Sequence, residues 1–170
     1  MQQNGAVYRS YRDVCGVSPC TGISFSGSAG RLLCGGKSTL YGTSVLPADP
    51  DRITIIGDSA GGNLAAAVCL KARDTGEFIP KKQILIYPAL NNCYTEGSPY
   101  KSVQENGEGY LLTAVKMEDY LKLYESSPED RQNPYFAPIL EKDLSHMPET
   151  LILTAEFDPL RMKAKSMGNV

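Results

Sequence analysis

The chain is poor in several things that would otherwise direct a functional reading. Among its 170 residues there is one histidine, His146, and the formal charge is only −2. No block of Lys or Arg is large enough to cover a face, so neither nucleic acid nor an anionic membrane is an expected partner. The doublet Lys81-Lys82 reads as a solvated strand end. The opening "MQQNGAVYRSYRD" has no apolar run long enough for a signal peptide. The longest apolar stretch, Leu64 to Leu70, is far too short to span a bilayer. A cytoplasmic location without a membrane span is the resulting expectation. The five cysteines, Cys15, Cys20, Cys34, Cys69 and Cys93, are odd in number and form no C-x-x-C. A zinc site from Cys15, Cys20 and Cys34 would lack a fourth ligand and the usual paired spacing, so no metal is expected. Cys69 reads as a small packed residue. No internal repeat is visible.

What is present fits one soluble domain. Apolar residues make up 42% and charged residues 21% of the chain, which is ordinary for a globular protein with enough length to bury a core. Three regions are distinguished. Residues 1–45 are rich in Gly and Ser, have no period of 2 or 3.6, and read as irregular or disordered. Residues 46–161 are well organised, and 162–170 form a tail.

In the organised part, Ile53 to Ile56 is a β-branched run of the kind buried on both faces of a sheet. Gly57 to Gly62 form a turn. A helix that is apolar nearly all round then runs to about Ala72. Gln83 to Tyr87, "QILIY", is a second strand, stopped by Pro88. Strand, helix and strand within about 35 residues predict a βαβ unit and parallel pairing. Residues 89–112 read as a long irregular stretch, which in a compact domain tends to be functional. Thr113 is the expected N-cap of a helix whose packed face is Ala114, Met117, Leu121 and Tyr124. Thr150 to Ala155 is a third buried strand, ending in acids.

The sequence Gly57-Asp58-Ser59-Ala60-Gly61 matches G-x-S-x-G, with a strand before it and a helix after. That pattern displays a serine hydroxyl on a strained turn, and its neighbours two residues away, Gly57 and Gly61, must be tiny. The turn also sets the backbone N–H of Ala60 at a helix N-terminus, where it can donate to an oxyanion. A phosphate loop is a poor competitor, because no Lys follows the glycines. The bland reading is a tight turn with an inert serine. For the acid, Glu156 and Asp158 both follow the third strand. Asp158 is favoured because it lies in the loop beyond it, Glu156 stays open, and the bland role of Asp158 is an N-cap before Pro159. His146 precedes the third strand and Asp158 follows it. A strand of about six residues spans roughly 20 Å, whereas a triad needs contacts near 3 Å. His146 is therefore not expected to serve as the base, and no histidine follows Asp158.

Taken together, "GDSAGGNLAAAV", "LIYPAL", "NGEGYLLT", "NPYFAPIL" and "TLILTAEFDPLR" resemble the hormone-sensitive-lipase-like esterase and lipase branch of the α/β-hydrolase superfamily. The likeness runs from about Asp49 to Arg161. It implies an eight-stranded, mostly parallel sheet, of which this chain is expected to hold a partial α/β-hydrolase fold of about three parallel strands flanked by helices, incomplete at both ends. It also implies hydrolysis of small-molecule esters with short to medium acyl groups through an acyl-enzyme, without metal or organic cofactor. Residue by residue, Ser59 matches the nucleophile, Asp158 the acid and Ala60 an oxyanion-hole donor, while Gly57, Asp58, Gly61 and Gly62 shape the elbow. The family's H-G-G-G loop and late histidine have no counterpart. Cys34-Gly35-Gly36 lies too close to Ser59 and lacks the histidine. Frameshift or truncation at both ends is the expectation, with negligible esterase activity of this chain and poor solubility or self-association through an exposed sheet edge. The alternatives are a non-catalytic binding module on a hydrolase frame and an interaction protein acting through the first 45 residues.

Overall fold

The computed structural model describes residues 53–76 and 80–161. The expectations for residues 1–45, for Cys15, Cys20 and Cys34, and for the tail 162–170 lie outside the described residues.

Strand β1 (Thr54–Asp58) runs into helix α1 (Ala60–Thr75), which returns the chain to strand β2 (Lys82–Ile86). Helices α2 (Lys101–Asn106) and α3 (Ala114–Tyr124) follow, then two 3-10 turns (Pro128–Gln132 and Pro138–Leu140), and last strand β3 (Glu149–Leu153). The strands form one parallel sheet in the order β1-β2-β3, so the βαβ expectation holds. Side chains reinforce the register at the start of β2 and β3. Lys82 lies opposite Glu149 and pairs with it at 3.1 Å. Gln83 lies opposite Thr150 and donates to its hydroxyl at 2.8 Å.

Helix α1 is longer than its periodicity indicates, and the turn before it is shorter. Ser59 alone separates β1 from α1. At the other end Gly76 takes a left-handed conformation (φ 64°), and its N–H closes onto the carbonyls of Ala72 and Arg73. Glycine adopts that conformation without the clash a Cβ would bring.

One face of α1 covers the sheet: Ala65 and Ala66 pack with Leu85, Leu90, Ile55 and Ile152, and Val68 and Ala72 close over Ile55. Burial pushes the Cys69 thiol up to about 12, consistent with an inert packed residue. A second core gathers Tyr94, Val103, Met117, Leu121, Phe136 and Leu160. Met117 and Leu121 come from the expected face of α3, with Ala114 and Tyr124 packed against them. The Thr113 hydroxyl caps α3 by accepting from the Lys116 N–H.

Two expectations need correction. Residues 89–112 are not wholly irregular, because α2 lies within them. Its buried positions include Ser102 and Asn106, polar residues that leave no apolar period. Nor is β3 buried on both faces. Leu151 and Leu153 are 52% and 46% exposed, since α1 covers only the face that carries Leu85 and Ile152. The opposite row, Ile56, Ile84 and Leu151 in register, remains partly open. Among the described residues no helix is long and apolar enough to cross a membrane.

Candidate active site

Ser59 occupies the one-residue turn with φ 51° and ψ −117°, a conformation that costs a non-glycine residue about 1–3 kcal/mol. Its backbone is held from β2 and beyond. The Ser59 N–H donates to the Ile86 carbonyl at 2.9 Å, and its carbonyl accepts from Ala89 at 3.1 Å and from Asn63 at 3.2 Å. Its side chain makes no capping bond to α1. Ala60 opens α1, so its N–H has no acceptor within the helix and lies at the positive end of the dipole. Asp58 ends β1 and is exposed.

The glycines divide differently from expectation. A Cβ on Gly57 would stand 2.1 Å from the Gly61 carbonyl oxygen, and one on Gly62 would stand 2.7 Å from the Pro88 Cβ. A Cβ on Gly61 would meet only the Asp58 carboxylate, at an ordinary 3.7 Å. The crowded neighbours are therefore Gly57 and Gly62. Gly62 was assigned to the elbow by the resemblance, but its obstacle, Pro88, comes from the segment after β2 and could not be read from the sequence.

That segment carries another strained residue. Tyr87, next to Ser59 across the sheet edge, has φ 35°, an outlier for a bulky side chain. Its N–H donates to the Leu153 carbonyl at 2.7 Å. The sequence gives no sign of it, since the following Pro88 favours an extended conformation here.

Asp158 lies beyond the C-terminal end of β3, the same end of the parallel sheet as Ser59. Its Oδ1 accepts from the Leu160 N–H at 2.8 Å, as in the capping role. Burial raises its carboxyl above the usual range, and the Leu160 bond offsets this only in part. The loop is anchored by α2. The Ser102 hydroxyl donates to the Pro159 carbonyl at 2.9 Å, and the Asn106 amide donates to the Asp158 carbonyl at 3.4 Å. Glu156 is exposed. Phe157 stacks on Tyr110 with ring centroids 5.6 Å apart, joining the acid loop to the segment before α3.

His146 is exposed on a turn ahead of β3, with φ 59°. Arg73, at the C-terminal end of α1, donates to the carbonyls of Asp143 and Ser145. Because α1 runs antiparallel to the strands, this pins the His146 turn to the end of the sheet opposite Ser59. Among the described residues no group of three His, Cys, Asp or Glu side chains could hold a metal ion.

A family model for the alpha/beta hydrolase fold matches residues 37–169. The chain belongs to the alpha/beta hydrolase fold family. Its curated relatives include an arylesterase of Saccharolobus solfataricus, 39% identical over 114 residues, spanning 66% of this chain and 36% of that one. An ethyl acetate hydrolase of Pseudomonas putida is 38% identical over 114 residues, spanning 66% of this chain and 34% of that one. Among solved structures, a hyperthermophilic esterase from the archaeon Pyrobaculum calidifontis superposes with a TM-score of 0.74 at 41% identity, covering 84% of this chain and 46% of that one. The resemblance to the hormone-sensitive-lipase-like esterases drawn from the motifs thus holds. The chain spans about a third of the length of the curated relatives it matches.

Two outcomes follow for this hydrolase-fold chain. In urea unfolding, Gly57→Ala and Gly62→Ala each lose about 1–3 kcal/mol through overpacking. Gly61→Ala is neutral or gains up to about 1 kcal/mol, as expected where a helical glycine has room for a methyl. The second concerns pH. A carboxyl raised in the folded state binds more protons there than in the unfolded chain. Its contribution therefore favours folding below the unfolded pKa and is lost as pH rises through the folded pKa. Asp158→Asn, which keeps the acceptor for Leu160, should equal or exceed the parent in stability at pH 7. Its advantage should shrink as pH falls toward 4; a variant less stable at pH 7 than at pH 4, relative to the parent, contradicts this account.

Proposed function

We propose that this chain is a serine carboxylesterase by descent whose 170 residues alone turn over esters at a negligible rate. The observation carrying the first half is the strained serine at the C-terminal edge of a parallel sheet, at the N-terminus of a helix, with the acid loop at the same edge. In the proposed chemistry the Ser59 Oγ attacks the carbonyl carbon of a small ester. The Ala60 N–H stabilises the oxyanion, the alcohol leaves, and water releases the acyl group from Ser59. Asp158 would orient the imidazole that takes the serine proton. The names of the relatives, arylesterase and ethyl acetate hydrolase, support simple esters as the substrate class.

The second half rests on the position of His146, the one imidazole in the sequence, at the opposite end of the sheet. Loss of the base costs a serine hydrolase about 10⁶-fold in kcat, about 8 kcal/mol. The same observation favours a second reading, a non-catalytic binding or interaction protein that retains the hydrolase frame.

Hydrolysis of a short-chain p-nitrophenyl ester should be the same for the parent chain and Ser59→Ala. A Ser59-dependent rate within about a hundredfold of the usual range of 1–10³ s⁻¹ would refute the proposed silence. A fluorophosphonate probe followed by peptide mass spectrometry separates the two readings. Slow labelling confined to Ser59 supports descent with a retained elbow, and labelling spread evenly over other serines supports the binding module. Self-association through a sheet edge and the exposed Leu151 and Leu153 is proposed as well. Sedimentation velocity should give species larger than the 18.5 kDa chain, and a clean monomer over a wide concentration range would count against it.

A further inference from the structure

We propose that Asn63 is the positioning residue of the elbow, acting through its side-chain amide on the backbone that holds Ser59; the role rests on Ser59 being the reacting hydroxyl. Asn63 is buried, 7% exposed. Its Nδ2 donates to the Ala89 carbonyl at 2.8 Å and to the Phe136 carbonyl at 2.8 Å. The Ala89 N–H in turn donates to the Ser59 carbonyl, and so does the N–H of Asn63 itself. Ser59, Asn63 and Ala89 therefore form a closed ring of hydrogen bonds around the strained turn. The close approach of Pro88 to Gly62 is what brings Ala89 within reach.

The second bond carries the ring further. Phe136 belongs to the core that also contains Leu160, and the Leu160 N–H is held by the Asp158 carboxylate. One amide thus ties the serine turn to the core on which the acid loop rests. Chemistry restricts the residue type. Both partners are carbonyl oxygens, so the side chain must present two donors from one atom on a short stem. Aspartate would set oxygens against oxygens, and leucine would remove the donor that both carbonyls share.

The test uses the full ¹⁵N-labelled chain. In the parent protein the Asn63 side-chain amide protons should exchange with water at least about tenfold more slowly than a free amide. In Asn63→Asp and Asn63→Leu, exchange at the Ala89 N–H should rise by about tenfold or more, while that of the Leu85 N–H in mid-β2 changes less than twofold. An equal rise at both sites would mean that Asn63 supplies only general stability, which overturns the proposal. Free-rate exchange of the Asn63 side chain in the parent overturns it too, and that measurement decides even if both variants fail to fold. These readings do not depend on hydrolysis or labelling, so a Ser59 that the fluorophosphonate probe does not label selectively would sink the esterase reading without altering them.

Discussion

The architecture depends on fitting a strand-to-helix reversal into one residue. β1 ends at Asp58 and α1 begins at Ala60, so Ser59 must accept a positive φ, and the chain on either side must accept close contact. Gly57 is pressed against the Gly61 carbonyl and Gly62 against Pro88. Strain of this kind persists only where its surroundings over-determine it. Here the Ser59 N–H donates to the Ile86 carbonyl, while the N–H groups of Ala89 and Asn63 donate to the Ser59 carbonyl. The benefit is directional: a hydroxyl at the top of the sheet, next to the N-terminus of a helix.

The acid side of the site is built by different means. No strained turn aims Asp158. Buried polar groups on α2 grip the main chain around it, while its own carboxylate holds the Leu160 N–H. The loop before α2 is secured by Arg131, which bonds Glu118, Glu125 and the Asn92 carbonyl. Glu118 in turn accepts from the Tyr94 N–H at 2.6 Å. Tyr94 and Leu160 share one core, so the acid loop and the scaffold of α3 rest on the same packed side chains. A partly buried carboxylate with no cation among the causes of its shift is a strained electrostatic arrangement.

The sheet is asymmetric. α1 seals one face, yet Leu151 and Leu153 stand exposed on the other. Parallel sheets are normally covered on both faces. Among the described residues, exposed apolar side chains on that face are of the kind that favour contact with another surface. The relatives extend well beyond the span matched here, which covers about a third of their length.

Much of this was legible from residue order alone: three apolar strand runs, the G-x-S-x-G turn between strand and helix, the packed face of α3, and the order of His146 and Asp158 about β3. Each is written in a period of 2 or 3.6, in a backbone demand that glycine meets, or in chain order within a parallel sheet. Helix α2, the crowding at Gly62, the strain at Tyr87 and the open face of β3 were not legible. Their causes are contacts between distant segments. The Asn63 amide reaches carbonyls 26 and 73 positions away, and Ser102 reaches one 57 positions away. A polar side chain that satisfies a remote main-chain group leaves no periodic trace. The sequence by itself determined the local elements and the hydroxyl they display; only the tertiary structure decided what holds that hydroxyl in place, because hydrogen bonds to remote carbonyls exist only once the chain has folded.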